Sequence, residues 1–324
     1  MTIDELRQKY SSETHARALL ERLIWPNGRV CPHCGGIESC TVVRQKAQKQ
    51  FYQCTACRGQ FTVTTKTPLH STKLPLWKWI LTMYYMIHSS KGISSVFMAK
   101  YIGVSQKTAW KITHAIREMM SLEHIKGPFL DGEVELDEKF LGGKPRHEHG
   151  VLHKRGRGTS KQGILVMIER KGRVRTVLMQ NETHDYIGSL VKRHVKPTAH
   201  LMTDQFQAYQ KLAPDFASHQ FVNHSHQEYV RGNVHNNTAE SFNAILERVK
   251  FGIYHFLSKL HIHRYVNEAA FRWNHRQEVS QKNGKIKMVA LPFIEQLASL
   301  LGLAIWRQLR RTPNGGIRCC SVYA

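Results

Sequence analysis

Two Cys-x-x-Cys pairs, Cys31-Pro-His-Cys34 and Cys54-Thr-Ala-Cys57, stand 19 residues apart near the start of this chain. Each CxxC turn aims two sulfurs at one point, and two turns at this separation describe a four-cysteine zinc ribbon. Val42, Val43, Phe51 and Tyr52 between the pairs, and Phe61-Thr-Val-Thr-Thr after them, supply short strands. So small a segment buries too little apolar surface to hold itself together. Structural Zn2+ on Cys31, Cys34, Cys54 and Cys57 is therefore expected to fold it. A thioredoxin-like redox role asks for one CxxC beside a βαβ unit, which this stretch lacks. His33, inside the first turn, finds no vacancy at an ion that already has four thiolates. The other cysteines, Cys40, Cys319 and Cys320, do not make the even, dispersed set of a disulfide-stapled secreted domain, and a reducing compartment is expected.

Lysine and arginine number 47 against 24 acids, a net charge of +23 in a chain of 324 residues that is 41% hydrophobic. That balance points to a folded protein with a polyanionic partner, nucleic acid first, rather than to disorder; a merely solubilising or ribosome-associated basic surface is the alternative. No membrane partner is expected. The opening Thr2–Arg7 is polar, and the apolar stretches Leu76–Ile87 and Phe293–Trp306 fall below the ~18–20 residues of a span and contain Lys78 and Glu295. The location implied is cytoplasmic and nucleoid-associated.

Pattern along the chain divides it into an N-terminal helix (1–24), the ribbon (25–70), a helix-turn-helix-like segment (71–125), an α/β domain (130–280) and a C-terminal helix and tail (281–324). In the third part, apolar stripes run Leu76, Trp79, Ile80, Met83, Ile87 and then Ala109, Ile112, Ala115, Ile116, Met119. Gly103 marks the turn and Ser105 is placed as an N-cap. The second helix would offer Gln106, Lys107, Lys111 and His114 to DNA, the alternative being a plain helical hairpin. A basic loop at 144–161, including Lys154, Arg155 and Arg157, reads as a DNA-contacting flap.

Within 132–140, Val134 and Leu136 share one strand face while Glu133, Glu135 and Asp137 share the other. Strands at 163–169 and 174–179 meet in the turn Arg170-Lys171-Gly172-Arg173, and 183–195 is helical. The apolar 199–202 forms a strand delivering Asp204 to its C-terminal edge, where α/β folds place ligand-binding groups. A loop at 223–237 carries Arg231, and the helix from 238 to 250 holds Glu240 in its first turn. Any one acid in a basic protein is usually a surface ion-pair partner. Three on strand, strand and helix instead suit two Mg2+ (or Mn2+) ions ~3.5–4 Å apart acting on a phosphodiester. Glu247 and Glu138 are rivals for the third and first positions.

These segments in order are the zinc ribbon, Val134-Glu-Leu-Asp137-Glu-Lys-Phe-Leu-Gly-Gly143, Thr203-Asp204, Tyr229-Val-Arg-Gly232, His235-Asn-Asn237-Thr-Ala-Glu240-Ser-Phe242 and Phe271-Arg-Trp-Asn274-His-Arg276. Together they resemble a bacterial insertion-sequence transposase of the DDE type with an N-terminal zinc ribbon. The resemblance spans about residues 20–276. It implies a ribonuclease-H-like mixed sheet with flanking helices that cuts element ends and joins them to target DNA, a metal-binding triad of Asp137, Asp204 and Glu240, and an oligomer that pairs the ends. His235 and Asn237 carry over as DNA-contacting positions. Two departures from the family pattern are Thr238-Ala239, in place of a glycine and aliphatic pair, and Asn243, in place of tryptophan. A nuclease or resolvase of the same fold, or a zinc-ribbon regulator without catalysis, are the other functions compatible with these residues.

Overall fold

The computed structural model describes residues 1–37, 40–46, 49–123, 127–143, 149–150, 159, 161–205, 207–223, 228, 230–311 and 317–321. The basic flap with Lys154, Arg155 and Arg157 lies outside them. The chain forms two compact units, one of residues 1–123 with 277–324 and one of residues 124–276.

In the first unit the 1–24 segment is two helices rather than one, α1 (Ile3–Tyr10) and α2 (Glu13–Ile24). The break is a matter of caps. Thr2 and Glu5 close a reciprocal capping box on α1, and Ser12 accepts from the His15 amide to start α2 afresh. Strands β1 (Cys40–Lys46), β2 (Lys49–Cys54) and β3 (Gln60–Phe61) make an antiparallel sheet. Its core is Tyr52 and Phe61, with Trp25 edge-on to both at 5.7 and 5.9 Å. Helix α3 (Leu76–His88), buried over most of its circumference, packs against α2 and against α5 (Gln106–Ser121). Before α5 comes α4 (Ser95–Ile102), which ends at Gly103 with φ +60°, a left-handed C-cap that glycine adopts at no steric cost.

The second unit is built on a five-stranded sheet. Strands β4 (Glu133–Leu141), β5 (Gln162–Glu169) and β6 (Val174–Leu178) form an antiparallel meander. Helix α6 (His184–Lys192) crosses to β7 (His200–Asp204), parallel to β4, and a 3-10 segment (Gln207–Asp215) leads to β8 (Ser218–Val222), parallel to β7. The order β6-β5-β4-β7-β8, three strands antiparallel and the last two parallel to the first, is that of a ribonuclease-H-like fold. Strand β5 is buried on both faces, so its run Ile164-Leu-Val-Met-Ile168 is apolar without alternation. Leu165 and Met167 join α6 and the 3-10 segment in one core; Ile164, Val166 and Ile168 join α7 (Asn237–Val249) and α8 (Ile262–Asn274) in the other.

The short hairpin β9 (Val230–Arg231) with β10 (Val234–His235) leads into α7, and after α8 comes the hairpin β11 (Arg276–Ser280) with β12 (Ile286–Ala290). Helix α9 (Phe293–Ala304) packs on α2, α3 and α5. The tail, which matches no recognisable sequence pattern, pairs as β13 (Arg307–Arg311) and β14 (Ile317–Ser321). No helix among the described residues is long and apolar enough to cross a membrane.

Candidate metal centres and active site

The four paired cysteines converge as their spacing requires. The sulfurs of Cys31 and Cys57, and those of Cys34 and Cys54, are each 3.7 Å apart, and all four ligand atoms lie within 4.8 Å of one another. A tetrahedron with metal–sulfur bonds of ~2.3 Å has an edge of about 3.8 Å, so the donor set fits zinc. Both turns use the same backbone device, a left-handed residue after the second cysteine: Gly35 at φ +77° and Arg58 at φ +58°. The arginine adopts that conformation at a cost of ~1 kcal/mol. Burial pushes the Cys31 thiol up to about 12, so without a metal this donor stays protonated. His33 turns away from the sulfurs, its Nε2 lying 3.2 Å from the Gln60 carbonyl oxygen. Cys40 sits cross-strand from Cys54, partly buried beside the cluster.

On the second unit, one face of β4 carries Glu133, Glu135, Asp137 and Lys139, and polar groups of β10, the residues before it and α7 meet them in turn. Asn233 donates to Glu133. The amides of Thr238 and Ala239 donate to Glu135 at 2.7 and 3.0 Å. Asn243 Nδ2 donates to Asp137 Oδ2 at 2.6 Å, and Lys139 pairs with Glu247 at 3.0 Å. The ladder works because two strand residues advance about 6.7 Å and four helical residues about 6 Å, so α7 laid along β4 meets it near residues 239, 243 and 247.

Asp204, the last residue of β7, belongs to the same site. The β4–β7 ladder pairs Glu135 with Met202, and two residues on, that parallel register puts Asp204 level with Asp137 on the same face. Burial, with the charges of Glu138 and Asp204, pushes the Asp137 carboxyl up to about 7, although the Glu138 amide at 2.8 Å and Asn243 favour its ionised form. Beneath the acids, Tyr209 is fully buried and its phenol is held well above the usual value by burial and by Glu138, Asp137 and Asp204.

Glu240 is exposed on α7, about 60° round the helix from Asn243 and one turn earlier. Among the described residues the four cysteines are the only group of three or more potential metal ligands drawn within 4.8 Å, so Glu240 is not gathered with Asp137 and Asp204 here. The α7 side chain against Asp137 is Asn243, whose Oδ1 is buried with no hydrogen-bond partner. The sequence signal for it was the departure from the family's tryptophan. Hard oxygens from Asp137, Asp204 and the Asn243 amide fit a divalent cation such as Mg2+ or Mn2+.

The expected DNA contacts divide. Gln106, Lys107 and Lys111 are exposed on α5, with Gln106 donating to Ser95. His114 is a correction: it is fully buried, its ring tilted against that of Trp110 at 4.1 Å, because α5 is enclosed from Ile112 to Met120. Arg231 and Asn237 are exposed. His235 instead turns inward, its Nδ1 3.2 Å from Arg170 Nη2.

With this geometry in place, the comparisons give the class. Residues 129–274 match an ISXO2-like transposase domain and residues 11–60 a transposase zinc-ribbon domain. An uncharacterized protein in transposable element ISH50 of Halobacterium salinarum is 31% identical over 290 residues, which cover 85% of this chain and 94% of that one. The chain belongs to the ISXO2-like family of DDE transposases. Among solved structures, the Mos1 transposase paired-end complex with left transposon end is 13% identical over 60% of this chain and 76% of that one, with a TM-score of 0.23. The Mos1 strand transfer complex is 10% identical over 60% and 76%, with a TM-score of 0.21, and likeness at this level adds nothing to the assignment.

Two outcomes follow. Cys31→Ser removes one of four donors, and bound zinc measured by atomic absorption is expected to fall from about one per chain towards zero; unchanged zinc refutes the ribbon. Asp137, with a folded pKa raised from 3.8 to about 7, favours folding while protonated; that contribution is full below about pH 4 and is lost as pH rises through about 7. In EDTA at pH 8, Asp137→Asn should therefore be more stable than the parent by on the order of 2 kcal/mol, with the gap closing by pH 4 in urea melts.

Proposed function

We propose that the chain is a DNA transposase that cuts double-stranded DNA at the ends of its element and joins those ends to target DNA, using two Mg2+ or Mn2+ ions. The observation that carries this reading is Asp137 level with Asp204 on one face of the sheet, with a carboxyl held near 7 by burial and neighbouring acids. A site that penalises its own negative charge is one that a cation relieves.

When bound, such ions supply Lewis acidity that activates an attacking oxygen and stabilises the leaving one. Asp137 and Asp204 would hold them, with the Glu138 amide and Asn243 orienting the Asp137 carboxylate. Glu240 is retained as the third ligand from the resemblance. Asn243 is the second candidate, favoured by its buried, unpartnered carbonyl oxygen. Binding of the polyanion draws on the net charge of +23, with Gln106, Lys107 and Lys111 on α5, the exposed Arg231 and Asn237, and Lys154, Arg155 and Arg157 of the flap as proposed contacts. The ribbon, folded by zinc, and the α4–α5 pair would read element ends. Two ends must meet, so a homo-oligomer acting at the nucleoid completes the proposal.

Asp137→Asn and Asp204→Asn are expected to bind an end fragment within about twofold of the parent while cleavage falls by about 10³-fold, a loss of ~4 kcal/mol of transition-state stabilisation. Full cleavage by either variant sinks the two-cation reading. Glu240→Gln and Asn243→Ala, assayed side by side, identify the third donor by which one loses activity. A labelled end with a target plasmid separates a transposase from a nuclease or resolvase, since only the former yields joined product; binding without any cation-dependent nicking would mark a regulator.

A further inference from the structure

Glu135 is fully buried, carries a carboxylate, and has no part in the chemistry described above. Its surroundings account for four hydrogen bonds. Oε1 accepts from Arg170 Nε at 2.7 Å and Thr238 Oγ1 at 3.0 Å; Oε2 accepts from the amides of Thr238 and Ala239. Those amides open α7, and the α7 N-cap, Asn236, makes no capping hydrogen bond with its side chain, which donates instead to the Leu136 carbonyl of β4. The helix is therefore capped from another element, by a strand residue two positions from Asp137.

Arg170 holds the same end from a second side. Its Nη1 donates to Glu133 Oε2 at 3.2 Å and to Asn233 Oδ1 at 3.1 Å, and its Nη2 donates to the His235 carbonyl at 3.0 Å. One guanidinium thus ties β4 to the hairpin that feeds α7. Its planar fork makes this possible, and a lysine ammonium would not reproduce it.

We propose that Glu135, oriented by Arg170, is a positioning residue that sets the register of α7 along β4 and so the approach of the α7 donors to Asp137. From Ala239 to Asn243 the helix advances about 6 Å, and from Glu135 to Asp137 the strand advances about 6.7 Å. Pinning the first rung therefore places the second to within about 1 Å. A slip of one helical residue would shift every α7 side chain by about 1.5 Å and turn it by about 100°, taking Asn243 off Asp137 and moving Glu240 as well. The inference holds for either choice of third donor, and it rests on the carboxylate site proposed above.

The test reads Mn2+ affinity of the full-length protein without DNA, by electron paramagnetic resonance of free Mn2+, beside thermal midpoints. Asp137→Asn is the reference for the site itself. Leu190→Ala, in the core on the opposite sheet face, is the control for simple destabilisation. Glu135→Gln is expected to weaken Mn2+ binding about tenfold, and Leu190→Ala to leave it within about twofold even with a lower midpoint. Arg170→Lys, which keeps the charge and loses the fork, should weaken it about threefold or more and serves if Glu135→Gln does not fold. Unchanged affinity in a folded Glu135→Gln or Arg170→Lys, while Asp137→Asn has lost it, overturns the positioning role alone. Equal weakening in Leu190→Ala also overturns it. Full Mn2+ binding in Asp137→Asn means instead that the carboxylate site is misassigned.

Discussion

The second unit depends on one constraint, that a central strand buries carboxylates on the face it turns to a helix. Strand β4 is apolar towards α6, through Val134 and Leu136, and acidic towards α7, through Glu133, Glu135 and Asp137. An unpaired buried carboxylate costs several kcal/mol, so each must find donors. Glu135 has four, from an arginine, a hydroxyl and two helix amides. Asp137 has two, and acidic neighbours besides. Chemically identical groups two residues apart thus serve different ends: the satisfied one builds, and the under-satisfied one is left with an affinity for positive charge.

The first unit answers a different shortage. Around the ribbon the buried aromatic cluster is little more than Tyr52 and Phe61 with Trp25 against them, too little apolar area to offset ordering some forty residues. Four sulfurs at tetrahedral spacing supply the missing free energy once a metal links them. The left-handed Arg58 indicates how strongly the second turn is held, since that conformation is disfavoured for arginine and persists only where its surroundings impose it.

Much of this was legible in the residues because it rests on local periodicity. Alternation in 132–140 placed Glu133, Glu135 and Asp137 together, an unbroken apolar run marked β5, and the short strand before Asp204 needed only Ala199–Met202. The cysteine spacing sufficed for the cluster. What escaped was the pairing of faces across long sequence separations. On α7 the stripe Phe242, Ile245, Leu246 and Val249 tells which side is apolar, but not which polar flank meets β4; that depends on contacts 100 residues apart, such as Asn236 with Leu136. Asn243 registered in the sequence only as a departure from the family pattern, and it stands against Asp137. Arg170 looked like a hairpin turn residue, yet its side chain binds two other segments, β4 and the β9–β10 hairpin. His114 fitted a recognition helix by spacing alone, and the enclosure of α5 left it no solvent.

The two metal-type sites differ in closure, and their donor sets explain why. Around the cysteines every tetrahedral position is filled by protein, so nothing from outside can enter, which is what a folding element needs. Around Asp137 and Asp204 the protein offers few oxygens, and an octahedral cation held there would keep positions for water and phosphate, which is what a reaction needs. An open site of this kind is poorly defined by its own ligands, because few bonds hold it. Its geometry has to come from the scaffold, and the ladder of hydrogen bonds and ion pairs between β4 and α7 is the part of the scaffold that reaches it.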